Sequence, residues 1–353
     1  MEKAINDIFG AGREEFCAAL KEISGTESPR VMLVADFNVV QQNPELGGKI
    51  GKCFQSGGIQ LCGKPAVLSG GEKIKSDAFS TVMRTMNAML DAKIGRDDIV
   101  LALGGGALLD VAGYAAKQIR GGVKLVRLPT TVASMIDGAW SGVAAVNTVN
   151  VKDALKIPCR PDGVFIDYSF ARTVLDGVWR AGFAEAARLA AACDAPLMDL
   201  LEKHAGDLKD RDYDAMCEIV SRCLETRKRG SAKEIGEWSA MRLETMSGYK
   251  LPHGYAMTIG LMIDAKYAMI KGFLSEPEEA RIAKILVDCG AADGVAHSGH
   301  LLAQPDNVLF GLDAWELSHG KEPLNFPASG AKTVKEEKID REAMRNAINM
   351  VKY

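Results

Sequence analysis

Short runs of apolar, β-branched residues alternate with helix-period segments through the first half of the chain. Arg30–Ala35, Pro65–Leu68, Ile99–Leu103, Val123–Leu128 and Gly163–Asp167 are continuous apolar runs of the kind a parallel strand buried on both faces requires. Between them Phe79, Val82, Met83, Met86, Met89 and Leu90 recur at spacings of three and four, which predicts an amphipathic crossover helix. This alternation predicts an open parallel α/β sheet. From about Ser169 the period becomes that of long helices, roughly over 178–204, 213–229, 254–272 and 278–290, and the tail after Asn325 reads as a short hairpin or loop before a last helix at about 340–352. The expected fold is a Rossmann-like α/β open parallel sheet domain over 1–170, followed by an all-helical C-terminal domain over 171–353.

Composition narrows the partners. The 353 residues carry 43 Lys+Arg against 46 Asp+Glu, a net charge of −3, so the chain lacks the basic excess that nucleic acid or an anionic membrane surface selects. A small-molecule partner is expected. No apolar run reaches the length of a membrane span, and the Met1–Asp7 start lacks the layout of a signal peptide, so a cytoplasmic protein is expected. The eight cysteines form no CxxC pair and read as core residues. Any metal must come from histidine and carboxylates.

Glycine, 36 of 353 residues, is in excess, and its placement carries chemistry. Ligands of open α/β sheets bind at strand carboxyl ends, where glycine admits close backbone approach and helix N-termini offer N–H groups to phosphate. Gly104-Gly105-Gly106 follows one predicted strand, Ser69-Gly70-Gly71-Glu72-Lys73 another, and Pro129-Thr130-Thr131 a third. Asp36 ends the first strand with the placement of a ribose-holding carboxylate. A triple glycine alone equally serves a tight turn against a helix, and the string is not GxGxxG. Three such segments at successive strand ends favour a nucleotide.

GGEK (70–73), GGGALLDVAGYAA (104–116), Arg120-Gly121, PTT (129–131), Asp137, Asn147, Asp167, AGFAE (181–185) and LPHG (251–254) stand in an order that resembles the dehydroquinate synthase family, a relative of glycerol dehydrogenases and iron-containing alcohol dehydrogenases. The resemblance implies NAD across the glycine-rich strand ends, with Asp36, Asn38, Gly71, Glu72, Lys75, Gly105, Gly106, Asp110, Thr130 and Thr131 as its binding residues. It implies a divalent metal, zinc or a similar ion, on Glu185, Glu237 and His253. Catalytic positions follow as Asp137, Asn147, Lys152, Arg188, Arg120 and His319, with Arg120 reaching substrate phosphate across a homodimer contact. The substrate implied is a phosphorylated sugar or polyol, which a sugar-phosphate cyclase oxidises with NAD, strips of phosphate, reduces again and closes by aldol addition.

Several positions depart from the family pattern. A histidine of the family's GHT or GHW string is Glu237, which adds charge and hardness and moves preference from zinc toward manganese or iron. The next histidine on that helical face is Met241, which cannot shuttle protons. A lysine of the GGKTGVN-like string is Val143, the asparagine of GKN is Asp153, and the lysine of AExxK is Arg188. Three functions remain open on these residues: a dehydroquinate-synthase-like cyclase, an NAD(P)-dependent polyol dehydrogenase, and a degenerate nucleotide-binding homologue.

Overall fold

A computed structural model describes residues 1–351 apart from Ala78, Val149 and 230–233, and the chain divides into two compact units, Met1–Val174 and Leu175–Tyr353.

The first unit is built on a seven-stranded parallel sheet. Its strands are β1 (Glu2–Ala4), β2 (Arg30–Asp36), β3 (Gln60–Leu61), β4 (Ala66–Leu68), β5 (Ile99–Gly104), β6 (Lys124–Pro129) and, after the hairpin of β7 (Val143–Val146) and β8 (Leu155–Pro158), β9 (Gly163–Ile166). The order is β1-β9-β6-β5-β2-β3, with β4 also on β2. Each apolar run predicted as a strand is one. Helices α1 (Arg13–Ser24), α2 (Phe37–Gln42), α3 (Leu46–Gly57), α4 (Ser80–Asp91), α5 (Gly106–Gln118) and α6 (Val132–Ile136) connect them. Every residue of β5 is buried, and the register sets Asp36 opposite Leu68, Ala35 opposite Leu103 and Gly104 opposite Pro129. The glycine-rich segments therefore leave the sheet side by side at one edge. The β7–β8 hairpin, which periodicity did not reveal, pairs Val146 with Leu155 and carries Asn147, Lys152 and Asp153 in its loop.

The second unit is helical apart from one hairpin. Its helices are α7 (Asp176–Ala181), α8 (Phe183–Cys193), α9 (Ala195–Lys209), α10 (Tyr213–Arg229), α11 (Glu237–Met246), α12 (His253–Ile270), α13 (Glu276–Asp288), α14 (Gly299–Leu302), α15 (Pro305–His319) and α16 (Arg341–Met350); β10 (Leu324–Ala328) and β11 (Lys332–Glu336) form the hairpin. The stretch expected as one helix over 178–204 is three. Asp194 caps α9 by accepting from Leu197 N at 3.1 Å, and Pro196 in the first turn of α9 favours a start there. The last helix ends at Met350; residue 352 of the expected span lies outside the described residues. In α12 every residue from Ala256 to Ala265 is buried, as a helix apolar on all sides must be. All eight cysteines are free thiols and six are buried. Among the described residues no helix is long and apolar enough to cross a membrane.

Candidate active site

At the sheet edge of the first unit, α5 starts directly after β5 with Gly105 as its N-cap and no side-chain cap, so the N–H groups of its first turn point outward unpaired by any side chain. A Cβ on Gly106 would meet open space, whereas one on Gly70 would stand 2.6 Å from Asp36 Oδ2 and 2.7 Å from Asn38 Nδ2. Glycine at 70 thus lets its loop close over Asp36. Gly71 has φ +86°, a conformation that favours glycine. Asp36 is buried, accepts from Asn38 N at 2.8 Å, and burial pushes its carboxyl up. Thr131 caps α6 in a capping box with Ser134. The buried Thr130 hydroxyl has no hydrogen-bond partner among the described residues. An uncapped helix start, close-approach glycines and an orphaned hydroxyl at one strand edge fit a dinucleotide phosphate and ribose.

Beside this edge lies a buried ion network. Lys75 Nζ is 2.8 Å from Asp110 Oδ2, 2.6 Å from Asp153 Oδ1 and 3.3 Å from Glu72 Oε1, and Lys152 Nζ is 3.0 Å from Glu72 Oε1. Asn147 Nδ2 donates to Glu72 Oε1 at 2.9 Å, while its Oδ1 accepts from Asp153 N at 2.8 Å. Burial alone would push Glu72 up, but Lys152 and Lys75 hold it down at about 2. Burial likewise opposes the charge on Lys75, and the carboxylates of Asp110, Asp153 and Glu72 raise it well above the ordinary lysine value. Burial raises the Asp110 carboxyl against the pull of Lys75. Asp153, in the left-handed region at φ +52°, is tied to Lys75.

The second unit holds the other cluster. Glu185 sits on the alanine-rich α8 with its side chain 2% exposed. Its Oε2 accepts from Arg188 Nε at 2.8 Å, and its Oε1 lies 3.3 Å from His253 Nε2. His253 opens α12, and its Nδ1 lies 2.8 Å from Glu244 Oε1 on α11. Both ring nitrogens face carboxylates, which only accept; the shorter contact makes Nδ1 the donor to Glu244, and Nε2 faces Glu185 Oε1. Burial would raise the Glu185 carboxyl, but Arg188 and His253 hold it at about 2. Glu237 Oε1 stands 3.8 Å from Arg188 Nη1. The turn before Glu237 is fixed from α12: Asp264 accepts from Gly236 N at 2.6 Å and Trp238 Nε1 at 2.9 Å, and burial pushes Asp264 up to about 7 against those two bonds.

Two of the three residues expected to hold a divalent ion fit one as they stand. Tetrahedral ligands at about 2.0–2.1 Å from one ion are roughly 3.3 Å apart, which is the Glu185–His253 separation, and Glu244 supplies the carboxylate that orients a ligating imidazole. Glu237 is turned to Arg188 instead, and among the described residues no three His, Cys, Asp or Glu side chains gather at one point. Glu244→Gln is expected to weaken Co²⁺ binding about 10–100-fold, measured by titration; unchanged affinity would show that the Nδ1 partner is not needed.

The expected residues therefore fall into groups. Glu72, Lys75, Asp110, Asn147 and Lys152 are joined in one network, and Glu185, Arg188, Glu237 and His253 in another. Asp137 ends α6, half-buried. Arg120 is exposed past the C-terminal end of α5, the far end of that helix from Asp110. The His319 ring stacks on Trp315 with centroids 3.8 Å apart, and Trp315 lines a cavity of about 340 Å³ with Glu234, Glu322, Asn325 and Lys335. Sequence reasoning missed Glu244 and Asp264. Glu244 was detectable as a carboxylate seven residues after Glu237, on the same face of α11; Asp264 carried a signal only as a lone charge inside an apolar helix.

Comparison with known proteins places the chain in a family. The 3-dehydroquinate synthase N-terminal family model matches residues 65–180 and the C-terminal one residues 182–296. The chain is 30% identical over 238 residues to the 3-dehydroquinate synthase of Citrifermentans bemidjiense, covering 64% of this chain and 65% of that protein, and 29% identical over 298 residues to that of Vibrio atlanticus, covering 81% and 80%. The chain thus spans just under two thirds of the length of the first relative. A solved 2-epi-5-epi-valiolone synthase from Streptomyces hygroscopicus, with NAD⁺ and Zn²⁺ bound, shares the fold at TM-score 0.86 and 22% identity over 99% of this chain and 96% of that one. A 2-deoxy-scyllo-inosose synthase complexed with carbaglucose-6-phosphate, NAD⁺ and Co²⁺ follows at 0.78 and 18%, over 99% and 96%. A probable glycerol dehydrogenase from Sinorhizobium meliloti stands at 0.65 and 16%, over 99% and 95%. With both halves of one family matched in order along it, the chain belongs to the 3-dehydroquinate synthase family.

Proposed function

We propose that the protein is an NAD-assisted, divalent-metal-dependent sugar-phosphate cyclase, a carbon–oxygen lyase whose substrate is a phosphorylated sugar other than that of dehydroquinate synthesis itself. The observation that carries this reading is the Glu185–His253 pair, held 3.3 Å apart with Glu244 behind it. Support for the substrate class comes from the carbaglucose-6-phosphate complex of a structural neighbour, and support for a different sugar from Val143, Asp153, Glu237 and Met241. When bound, NAD takes a hydride from a substrate carbon and returns it, and the ion polarises the oxygen on that carbon.

The chain's own residues do the rest. Glu185 and His253 would hold the ion, with Glu237 beside Arg188 as the remaining candidate ligand. Glu244 keeps the proton on His253 Nδ1 and so keeps Nε2 available. Asp36 and the first turn of α5 would hold the nucleotide, and the Glu72–Lys75–Asp110 network would fix its reacting end. Lys152, anchored by Glu72, offers an ammonium to an anionic group, and Asp137 stands near the same strand edge at the end of α6. In this reading the protein is a homodimer in which the exposed Arg120 serves the other subunit's substrate.

Purified protein supplied with NAD and Co²⁺ or Zn²⁺ is expected to release inorganic phosphate from a seven-carbon sugar phosphate with no build-up of NADH absorbance. Accumulating NADH would replace the reading with that of a polyol dehydrogenase. Tight NAD binding with neither product would make the chain a non-catalytic homologue.

A further inference from the structure

The α8 guanidinium occupies an unusual position. Arg188 lies one helical turn after Glu185 and is itself only 2% exposed, and its planar fork faces both carboxylates expected to hold the ion: Nε bonds Glu185 Oε2 at 2.8 Å and Nη1 is 3.8 Å from Glu237 Oε1. Along the cluster the groups run Glu244, His253, Glu185, Arg188, Glu237, carboxylate alternating with nitrogen base. With Oε2 bonded to Arg188, Glu185 has one oxygen left for a metal, Oε1, which faces His253 Nε2 at 3.3 Å.

We propose that Arg188 is a built-in competitor of the divalent ion, a positioning residue that holds Glu185 to a single ligating oxygen and keeps Glu237 turned away, so that the native site takes its ion weakly and exchangeably. The inference rests on the reading that Glu185 and His253 bind a divalent ion. A guanidinium and a dication seek the same carboxylates, and in a buried setting where charges are little screened each raises the cost of the other. Binding of the ion must also displace any proton on His253 Nε2. Removing the guanidinium frees the second oxygen of Glu185 and lets Glu237 turn in, giving the three protein ligands such an ion ordinarily has.

The test titrates wild type, Arg188→Gln and Arg188→Lys with Co²⁺, reading calorimetric affinity, the visible absorption of the bound ion and the Co²⁺-induced rise in Tm. Arg188→Gln is expected to bind Co²⁺ at least tenfold more tightly than wild type, with a changed absorption band and a larger Tm rise from a lower metal-free Tm, because the Oε2 side of its buried Glu185 lacks the guanidinium until the ion arrives. Arg188→Lys, which keeps the charge but loses the planar fork, is expected to fall between them, and this comparison decides the matter alone if Arg188→Gln does not fold. Equal or weaker Co²⁺ binding by the variants beside a wild type that binds would overturn the competitor role and leave the proposed function standing. A purely structural Arg188 gives that result, a lower Tm without tighter binding. No Co²⁺ bound by any of the three proteins would remove the ion from the proposed function, and this inference with it.

Discussion

Lys75→Met is expected to destabilise the first unit by about 3–5 kcal/mol at pH 7, the cost of leaving buried charges without their partner. Its ammonium, with a side chain only 4% exposed, is the shared cation of Glu72, Asp110 and Asp153, and a second cation, Lys152, bonds Glu72. The loss depends on pH with a definite sign. In wild type the carboxyls of Glu72 and Asp153 lie below their ordinary values, so their contribution is fully present above the ordinary carboxylate range and disappears as the pH falls toward about 2. In the variant Asp153 loses its bonded cation and Glu72 keeps only Lys152, so their values rise, and each proton bound on acidification restores stability. The gap between the two proteins should therefore be widest above about pH 6 and narrow toward pH 3. Denaturant midpoints across that range measure it, and adding Asp153→Asn to the variant should recover part of the loss. A gap independent of pH would mean that shape, not charge, is what Lys75 supplies.

Gly236→Ala is expected to cost the second unit roughly 2–5 kcal/mol. The residue has φ +76°, where a side chain costs about 1–2 kcal/mol. A Cβ there would lie 2.7 Å from the backbone of Gly260 and Leu261, so α11 and α12 must part, an overpacking that adds about 1–3 kcal/mol. The shift would pull Gly236 N from Asp264 and carry Glu237 with it. Gly260→Ala should behave alike, since its Cβ would meet Gly236 O at 2.2 Å, whereas Gly206→Ala in α9 faces open space and should be neutral or slightly stabilising. Thermal unfolding of the three variants would show whether contact between the two glycine backbones is required; equal Tm values would show it is not.

The residues themselves explain what could be read in advance. β2, β5 and β6 were legible because a strand buried on both faces has little but apolar residues, and Asp36, Gly104–Gly106 and Thr130 were legible because chemistry at a strand end needs small or polar groups directly after such a run. The β7–β8 hairpin was not. Val143 and Leu155 are exposed, so no alternation announces it, and Asn147, Lys152 and Asp153 could be assigned only through the resemblance. The continuous helix expected over 178–204 failed because α7, α8 and α9 bury alanine and leucine at compatible spacings across their joints, and period alone does not register a cap. The roles of Glu244 and Asp264 were hidden for another reason. Glu244 acts on His253, nine residues on, and Asp264 on the Gly236 turn, 28 residues back; the sequence shows each carboxylate but not the group it meets.

The all-round burial of α12 has a mechanical consequence. His253 and Asp264 stand eleven residues apart on it, about 16 Å and three turns, so one rod fixes both the imidazole and the turn that carries Glu237. A rod gripped on every side between Ala256 and Ala265 cannot rotate to absorb an error. Inserting or deleting one residue there would swing one end by about 100° relative to the other and retire both groups together, while the exposed turn of the β10–β11 hairpin can change length without moving either. The helix works as a ruler whose length, more than its surface, is what the site depends on.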